Sequence, residues 1–185
     1  MNSKLPNKSK YHLFIIPIYI IISIYYLFFN SSAHYNYIFN NNDFRLILPV
    51  VIFALATLLI INNFLKFGKI GINKKNLSKL PLIIFYALIL IAIPEEIIFR
   101  GIIQTYFQTL TSIIAAIFLS SLVYGIAHIL NGAKGLTPKK WNWKLVIMTF
   151  ALGIYIGFTY FTTNSLIIPT IIHTIFIIIL KIFVK

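Results

Sequence analysis

The sequence predicts an all-α fold, a polytopic membrane bundle of about six transmembrane helices, and three observations support this class. The chain has 185 residues, of which 59% are hydrophobic and 10% are charged. Its apolar residues collect in runs close to the roughly 20 residues that cross about 30 Å of hydrocarbon. Its lysines cluster between alternate runs, as they do in the cytoplasmic loops of membrane proteins. A soluble domain of this length could not bury so much apolar surface, so we expect a membrane protein.

The predicted spans lie at 13–29, 46–65, 80–107, 112–130, 145–161 and 166–184. The third is too long for one perpendicular crossing, so it must tilt, kink or end at the membrane interface. Only residues 162–165 separate the last two spans, which predicts a tight hairpin. Within this single membrane domain we expect a two-helix region with a basic cytoplasmic loop over 1–79 and a core over 80–185.

The positions of the basic residues predict the orientation in the membrane. Cytoplasmic loops accumulate Lys and Arg, and six spans with both termini in the cytoplasm place every lysine cluster on that side. The clusters contain Lys4, Lys8 and Lys10; Lys66, Lys69, Lys74, Lys75 and Lys79; Lys134, Lys139, Lys140 and Lys144; and Lys181 and Lys185. They form no continuous basic face, so the net charge of +13 does not indicate a nucleic-acid partner.

The first span also resembles an export signal, because a basic start and an apolar run precede Ser31, Ser32 and Ala33. A typical signal core has about 7 to 15 apolar residues. The run at 13–29 is longer and contains bulky aromatic residues. We therefore expect a retained membrane helix, with a cleaved signal as the alternative.

Two adjacent carboxylates in the segment IAIPEEIIFR, residues 91–100, are the clearest sign of function. A carboxylate at membrane depth costs several kcal/mol unless it is paired, protonated or hydrated. In a continuous helix Glu96 and Arg100 are four residues apart, in the order that favours an ion pair. Glu95 then lies about 100° around the helix without that partner. The alternative is that Glu96 and Arg100 only neutralise each other while Glu95 faces the lipid headgroups.

Two histidines, His128 and His173, extend this set. A lone histidine in an apolar helix is more often a packing residue than a ligand. With the glutamates and the arginine, however, they are nearly the only ionisable residues within the spans, which predicts one shared polar site. Glu95 and His173 lie near mid-span, whereas His128 is roughly 10 Å closer to the cytoplasmic end. We expect helix tilt and a kink at Pro94 to close that gap, with a similar kink at Pro169.

Three motifs follow one another between residues 80 and 178. EEIIFR reproduces the signature EExxxR, YGIAH resembles FxxxH, and HTIFI lies where a third histidine motif is expected. In order and spacing they resemble the CAAX-protease and bacteriocin-processing (CPBP) superfamily, the Abi intramembrane proteases. The resemblance covers more than half of the chain and implies an Abi-type membrane core over 80–185.

The resemblance also implies a role for each motif residue. Glu95 would be the base that activates water, and His128 would help to hold that water. Glu96 and Arg100 would support the motif helix, and His173 would stabilise the oxyanion of the tetrahedral intermediate.

The remaining residues agree with a water nucleophile. The chain has no cysteine, and Ser120 and Ser121 lack the strand–turn–helix setting of a nucleophilic serine. We interpret both serines as small packing residues or local hydrogen-bond donors, and Gly125 as a point of close helix approach. Amide cleavage here would therefore require activated water.

Two positions depart from the family pattern. Tyr124 stands four residues before His128, where the family often has Phe, so the aromatic ring is kept and its hydroxyl needs a partner. Ile177 stands four residues after His173, where the family usually has Asn, so a hydrogen-bond donor is lost. Four residues are candidates to replace that donor: Asn131, Asn164, Thr170 and Thr174.

Metal dependence has two alternatives. Glu95, His128 and His173 could hold zinc and leave one position for water, and the resembled family is often labelled metalloprotease. The sequence has no HExxH motif, and a glutamate mechanism uses the same residues without metal. We expect that no cofactor is required, with zinc as the alternative.

These expectations combine into one functional hypothesis. We expect a bacterial cell-membrane endopeptidase that hydrolyses a peptide or a membrane-bound protein, in bacteriocin processing or self-immunity. One alternative is a non-catalytic immunity or binding protein on the same scaffold, which Ile177 favours. Another is an ion-coupled carrier that uses the buried Glu and His as a proton relay, which the lack of inverted repeats disfavours.

Overall fold

A computed structural model describes residues 11–29, 48, 50–52, 54–56, 59, 71–129, 131 and 137–183. Across these ranges the elements are helices, and none is a strand. The five long helices are α1 (Tyr11–Phe29), α2 (Leu80–Leu110), α3 (Ile113–Ala127), α4 (Trp143–Thr163) and α5 (Ile167–Phe183). The described residues from 48 to 59 are helical as well, but the bounds of the predicted second span lie outside the described residues.

Helix α2 carries the two glutamates and mixes two kinds of helical turn. Wider π turns at Tyr86–Ala92 and Ile97–Gln104 flank an α-helical segment at Ile93–Glu96. Pro94 lies in that segment and has no backbone N–H to donate, so an undisturbed α-helical ladder cannot form there. The predicted third span ends near residue 107, whereas helix α2 continues to Leu110. π turns are rare and often occur at functional sites.

Local sequence signals explain the helix ends. The side chains of Ser112 and Asn142 cap α3 and α4 by accepting hydrogen bonds, each of 3.3 Å, from backbone amides in the first turn. Helix α4 ends at Asn164, which adopts a left-handed conformation with φ 48°. Helix α5 begins three residues later, which confirms the predicted hairpin. Pro169 lies in the first turn of α5, where its missing N–H removes no helical bond, so the predicted kink at Pro169 is wrong.

The loop before α2 donates hydrogen bonds to the last backbone carbonyls of α5. The last carbonyls of a helix have no partner within it. Here the backbone amides of Gly71 and Asn73 donate to the carbonyls of Phe183 and Ile182 at 2.9 and 2.8 Å, respectively. The side chain of Asn76 donates to the carbonyl of Lys181 at 2.7 Å. These bonds hold the basic loop and the end of α5 at the same end of the molecule.

Small residues bring α3 and α4 into close contact. A Cβ atom added at Gly125 would lie 3.0 Å from the carbonyl oxygen of Val146, and one at Gly153 would lie 3.0 Å from the Cβ of Ser121. The predicted close approach at Gly125 is therefore confirmed. Ser121 donates to the carbonyl of Ile117 at 2.6 Å, which agrees with a packing role for this serine.

The interior of the described bundle contains polar as well as apolar side chains, and many large apolar side chains lie on its surface. The buried set includes two glutamates, an arginine, two histidines and several serines and threonines, while the exposed set includes many Ile, Leu and Phe side chains. Helices α2 and α4 are long and apolar enough to cross a membrane, with hydropathies of 2.3 and 1.8, and α1, α3 and α5 contain shorter apolar helices. This distribution is that of a helical membrane protein; the count of six spans stays a prediction.

Candidate active site

Glu96 joins two helices through both of its carboxylate oxygens. Its side chain is fully buried. Oε2 accepts a hydrogen bond of 3.1 Å from Nε of Arg100, one turn later on α2, which confirms the ion pair predicted from their spacing. Oε1 lies 2.8 Å from Nδ1 of His173 on α5. Because a carboxylate accepts hydrogen bonds, Nδ1 of His173 is the protonated nitrogen in this contact.

Glu95 faces both histidines. Its Oε2 atom lies 3.6 Å from Nε2 of His128 and 3.8 Å from Nε2 of His173. Oε2 is buried and makes no hydrogen bond within the described part of the chain. Helices α2, α3 and α5 therefore bring these three side chains to one point, although the spans alone suggested a difference in depth. His128 is the residue that follows the last helical position of α3.

The free nitrogen of His128 points toward Glu95. Nδ1 of His128 lies 2.8 Å from the backbone carbonyl oxygen of Tyr124. A carbonyl only accepts, so Nδ1 carries the hydrogen. In the neutral ring Nε2 is then an acceptor beside the carboxylate of Glu95. Nε2 of His128 and Oε2 of Glu95 are thus two acceptors separated by 3.6 Å. Such a pair is suited to hold a molecule that donates a hydrogen bond to each, such as water.

Tyr124 lies between the histidines and α2. Its hydroxyl is 3.0 Å from Nε2 of His173, which supplies the partner that the sequence required. Its ring packs edge-on against Phe99 with 4.9 Å between centroids, and the guanidinium carbon of Arg100 lies 5.3 Å from the ring centre. Phe99 contacts Tyr19 of α1 in the same edge-on manner, with 5.9 Å between centroids. Tyr124 is 1% exposed, so the hydroxyl works in a desolvated setting.

Arg100 is held by a single side-chain hydrogen bond among the described residues. Its Nε donates to Glu96, while Nη1 and Nη2 are buried and have no partner there. The backbone carbonyl of Arg100 accepts from Oγ1 of Thr105 at 3.0 Å. Arg100 therefore fixes Glu96 from one side and His173 fixes it from the other.

Position 177 supplies no donor, and two of the four candidates to replace it donate to backbone carbonyls instead. Ile177 lies one turn after His173 on α5 and is half-buried. Thr170 and Thr174 donate to backbone carbonyls of their own helix at 2.7 and 2.8 Å. Asn164 is exposed at the turn before α5. Oδ1 of Asn131 is buried without a partner among the described residues.

Helix α1 makes two side-chain hydrogen bonds to α2 that were not predicted from the sequence. Ser23 donates to the carbonyl of Pro94 at 3.1 Å, and Tyr26 donates to the carbonyl of Gly101 at 2.9 Å. With Tyr19, these residues follow a spacing of four and three, which places them on one face of a helix. The spacing is visible in the sequence, but an apolar run of this kind also fits a helix that serves only as a membrane anchor.

Glu95, His128 and His173 are the side chains that would hold a zinc ion in this site. Adjacent ligands in a tetrahedral zinc site lie roughly 3.4 Å apart, as ligand distances of about 2.1 Å require. The separations from Glu95 to the two histidines are 3.6 and 3.8 Å, and Nε2 of His173 already contacts the hydroxyl of Tyr124. Across the described residues no group of three or more His, Cys, Asp or Glu side chains is arranged to hold a metal.

Fold and site together define a class: a helical membrane protein that encloses a Glu and His centre between its helices. The family model "Type II CAAX prenyl endopeptidase Rce1-like" matches residues 77–179, more than half of the chain. The chain belongs to this family of CAAX-type intramembrane proteases. The resemblance of the three motifs to the CAAX-protease and Abi superfamily is thereby confirmed.

The protein YpbD of Bacillus subtilis (strain 168), described as uncharacterized, is similar to this chain. The two are 35% identical over 105 residues, which is 56% of this chain and 47% of YpbD. The chain thus spans about half the length of this relative. No solved structure matches the chain.

Proposed function

We propose that this chain is an intramembrane endopeptidase that hydrolyses a peptide bond with water activated by Glu95 and His128. One observation carries the proposal: Oε2 of Glu95 is buried, has no hydrogen-bond partner among the described residues, and faces Nε2 of His128 and Nε2 of His173 at 3.6 and 3.8 Å. A carboxylate in that setting is a strong acceptor for a proton from water. Membership of a protease family supports the same chemistry.

The proposed reaction uses this chain's own residues at each step. A water molecule donates to Glu95 and His128, and its oxygen attacks the carbonyl carbon as Glu95 takes one proton. The carbonyl oxygen becomes an oxyanion, which donors on the His173 side of the site stabilise. Glu95 then delivers the proton to the amide nitrogen, and the carbon–nitrogen bond breaks to give a carboxylic acid and an amine.

Glu96 and Arg100 have supporting roles in this proposal. Glu96 holds Nδ1 of His173, which fixes the direction of the opposite nitrogen, and Arg100 holds Glu96. A base or a donor that is misplaced by about 1 Å can lose roughly a hundredfold in rate. The substrate we propose is a peptide or membrane-bound protein that reaches the site from the bilayer of a bacterial cell. Processing of a bacteriocin precursor, or self-immunity, fits that substrate class.

A second function is a non-catalytic immunity or binding protein on the same scaffold. Ile177 favours it, because this side chain offers no hydrogen bond to an oxyanion. Both functions use a membrane-embedded site, so only a measurement of bond cleavage separates them.

The test is co-expression of wild type and Glu95→Gln with candidate peptide precursors encoded near the gene, followed by mass spectrometry of the products. We expect wild type to release a defined fragment and Glu95→Gln to release none while its amount in the membrane stays the same. His128→Gln should lower the yield at least tenfold, whereas His34→Gln, a change outside the predicted spans, should not. A fragment that persists in Glu95→Gln, or immunity that survives without any fragment, would favour the binding function.

A further inference from the structure

We propose that the hydroxyl of Tyr124 is a hydrogen-bond donor to the oxyanion, and so a further catalytic residue of this site. The inference rests on the proposed function and adds a residue to it. It follows from the protons that the described contacts leave available, from the burial of the hydroxyl, and from the hydrogen bonds that occupy the described hydroxyls of α3 and α5 nearby.

The protonation of His173 determines which group donates the hydrogen bond between its Nε2 atom and the hydroxyl of Tyr124. Nδ1 of His173 donates to the carboxylate of Glu96, so a neutral ring carries no hydrogen on Nε2. Nε2 is then an acceptor, and the contact of 3.0 Å with Tyr124 is made by the tyrosine proton. In the charged ring Nε2 donates to the tyrosine oxygen, which leaves the tyrosine proton free for another acceptor. In both states the hydroxyl of Tyr124 holds the proton that can turn toward a substrate oxygen.

The position of that hydroxyl suits the role. Nε2 of His173, which contacts it, is 3.8 Å from Oε2 of Glu95, so the hydroxyl and the proposed base share one neighbouring atom. The tyrosine ring packs edge-on against Phe99 and His128, with centroid distances of 4.9 and 4.6 Å. A fixed donor in a dry site stabilises developing charge without a cost of reorganisation.

Other side chains near this point do not offer the same proton. Thr170 and Thr174 on α5 donate to carbonyls of their own helix, and Ile177 has no polar atom. The Nη atoms of Arg100 are buried and have no hydrogen-bond partner among the described residues, so the guanidinium is tested by a separate variant, Arg100→Lys. Ser120 and Ser121 donate within α3 or to Gln104.

The experiment compares kcat and KM of purified wild type with those of Tyr124→Phe, on the precursor that wild type cleaves. We expect kcat to fall roughly a hundredfold to a thousandfold, the effect of one lost oxyanion donor, while KM stays within about twofold because the ring and its packing remain. Tyr160→Phe is the matched control, since Tyr160 is also a buried tyrosine whose hydroxyl contacts a threonine, at 3.2 Å. We expect this control to keep wild-type kcat. The double variant Tyr124→Phe/Ile177→Asn should recover at least tenfold in kcat, because it returns a donor to the neighbouring turn of α5.

Thermal unfolding of every variant in detergent shows whether a change in kcat reflects lost protein. Wild-type kcat in Tyr124→Phe, together with an inactive Glu95→Gln, would overturn this inference and leave the proposed function intact. Cleavage that survives Glu95→Gln would instead overturn the proposed function. If Arg100→Lys, and not Tyr124→Phe, lowers kcat without changing the melting temperature, the donor is the guanidinium and the inference is wrong.

Discussion

At the scale of single residues, two neighbouring glutamates have opposite surroundings. Glu96 has both oxygens in short contacts, with Arg100 and His173, whereas Oε2 of Glu95 has no hydrogen bond within the described residues. Buried charges are tolerated when they are paired and hydrogen-bonded. The two side chains therefore divide into one that stabilises the structure and one that is available for chemistry.

We predict that Glu96→Gln destabilises the protein much more than Glu95→Gln does. Glu96→Gln removes the negative charge between Arg100 and His173 and leaves a buried arginine without a counter-ion, a loss of about 3–5 kcal/mol. Glu95→Gln changes a carboxylate whose Oε2 atom makes no hydrogen bond within the described residues, so we expect equal or greater stability. Thermal unfolding in one detergent, at one pH, measures both.

The two isosteric variants are each other's control. An equal loss of melting temperature in both would show that Glu95 also has a structural partner, and it would contradict the division of roles described above. The predicted order should hold whether or not the chain cleaves a substrate.

At the scale of helices, α1 is more than an anchor because it holds α2 at carbonyls on both sides of the glutamates. Ser23 and Tyr26 bond the carbonyls of Pro94 and Gly101. We predict that Ser23→Ala and Tyr26→Phe each lower the free energy of unfolding by about 1 kcal/mol, the typical net value of one hydrogen bond. Tyr25→Phe should change nothing measurable, because Tyr25 lies on the outer face and is 64% exposed.

Chemical denaturation or thermal unfolding in detergent measures these differences. Ser23→Thr keeps a hydroxyl and should restore part of the stability that Ser23→Ala loses. Losses in Tyr25→Phe as large as those in Tyr26→Phe would show that the bond to Gly101 is not the cause.

Packing between α3 and α4 leads to a second prediction at this scale. A Cβ at Gly153 would lie 3.0 and 3.2 Å from the Cβ and Cα of Ser121, whereas one at Gly101 would have its nearest contact at 3.6 Å. Alanine normally favours a helix over glycine by about 1 kcal/mol. We expect Gly101→Ala to be neutral or stabilising in unfolding experiments.

Gly153→Ala should be less stable than Gly101→Ala by roughly 2 kcal/mol, because overpacking against backbone costs about 1–3 kcal/mol. The same thermal measurement decides the order. Equal stability of the two variants would mean that α3 and α4 can separate at Gly153 without loss.

Much of this arrangement was predictable from sequence, and the exceptions have physical reasons. Hydrophobic runs predicted α2 to α5 to within a few residues, and the spacing of Glu96 and Arg100 predicted their ion pair. The π turns were not predictable, because they depend on how α2 accommodates Pro94 while packed against other helices. The contact between Tyr124 and His173 joins residues 49 positions apart, so only the folded helices bring them together.

At the scale of the whole molecule, the described helices enclose polar residues and expose apolar ones, as proteins in a bilayer do. Contacts at the two ends of α5 place the loop before α2 and the turn after α4 at opposite ends of that helix. Asn73 bonds Ile182 near the C-terminal end of α5, and the turn at Asn164 leads into its N-terminal end. Seventeen residues separate these ends, about 25 Å at 1.5 Å per residue.

We predict that the loop before α2 and the turn between α4 and α5 lie on opposite sides of the membrane. The chain has no cysteine, so Lys75→Cys and Thr162→Cys each introduce a single thiol at an exposed position. If cytoplasmic loops carry the lysines, a membrane-impermeant maleimide added to intact cells should label Thr162→Cys and not Lys75→Cys. Lysis should make both thiols reactive, which controls for accessibility. Labelling of both in intact cells would contradict the predicted crossing, whereas labelling of Lys75→Cys alone would keep the opposite sides and reverse the orientation.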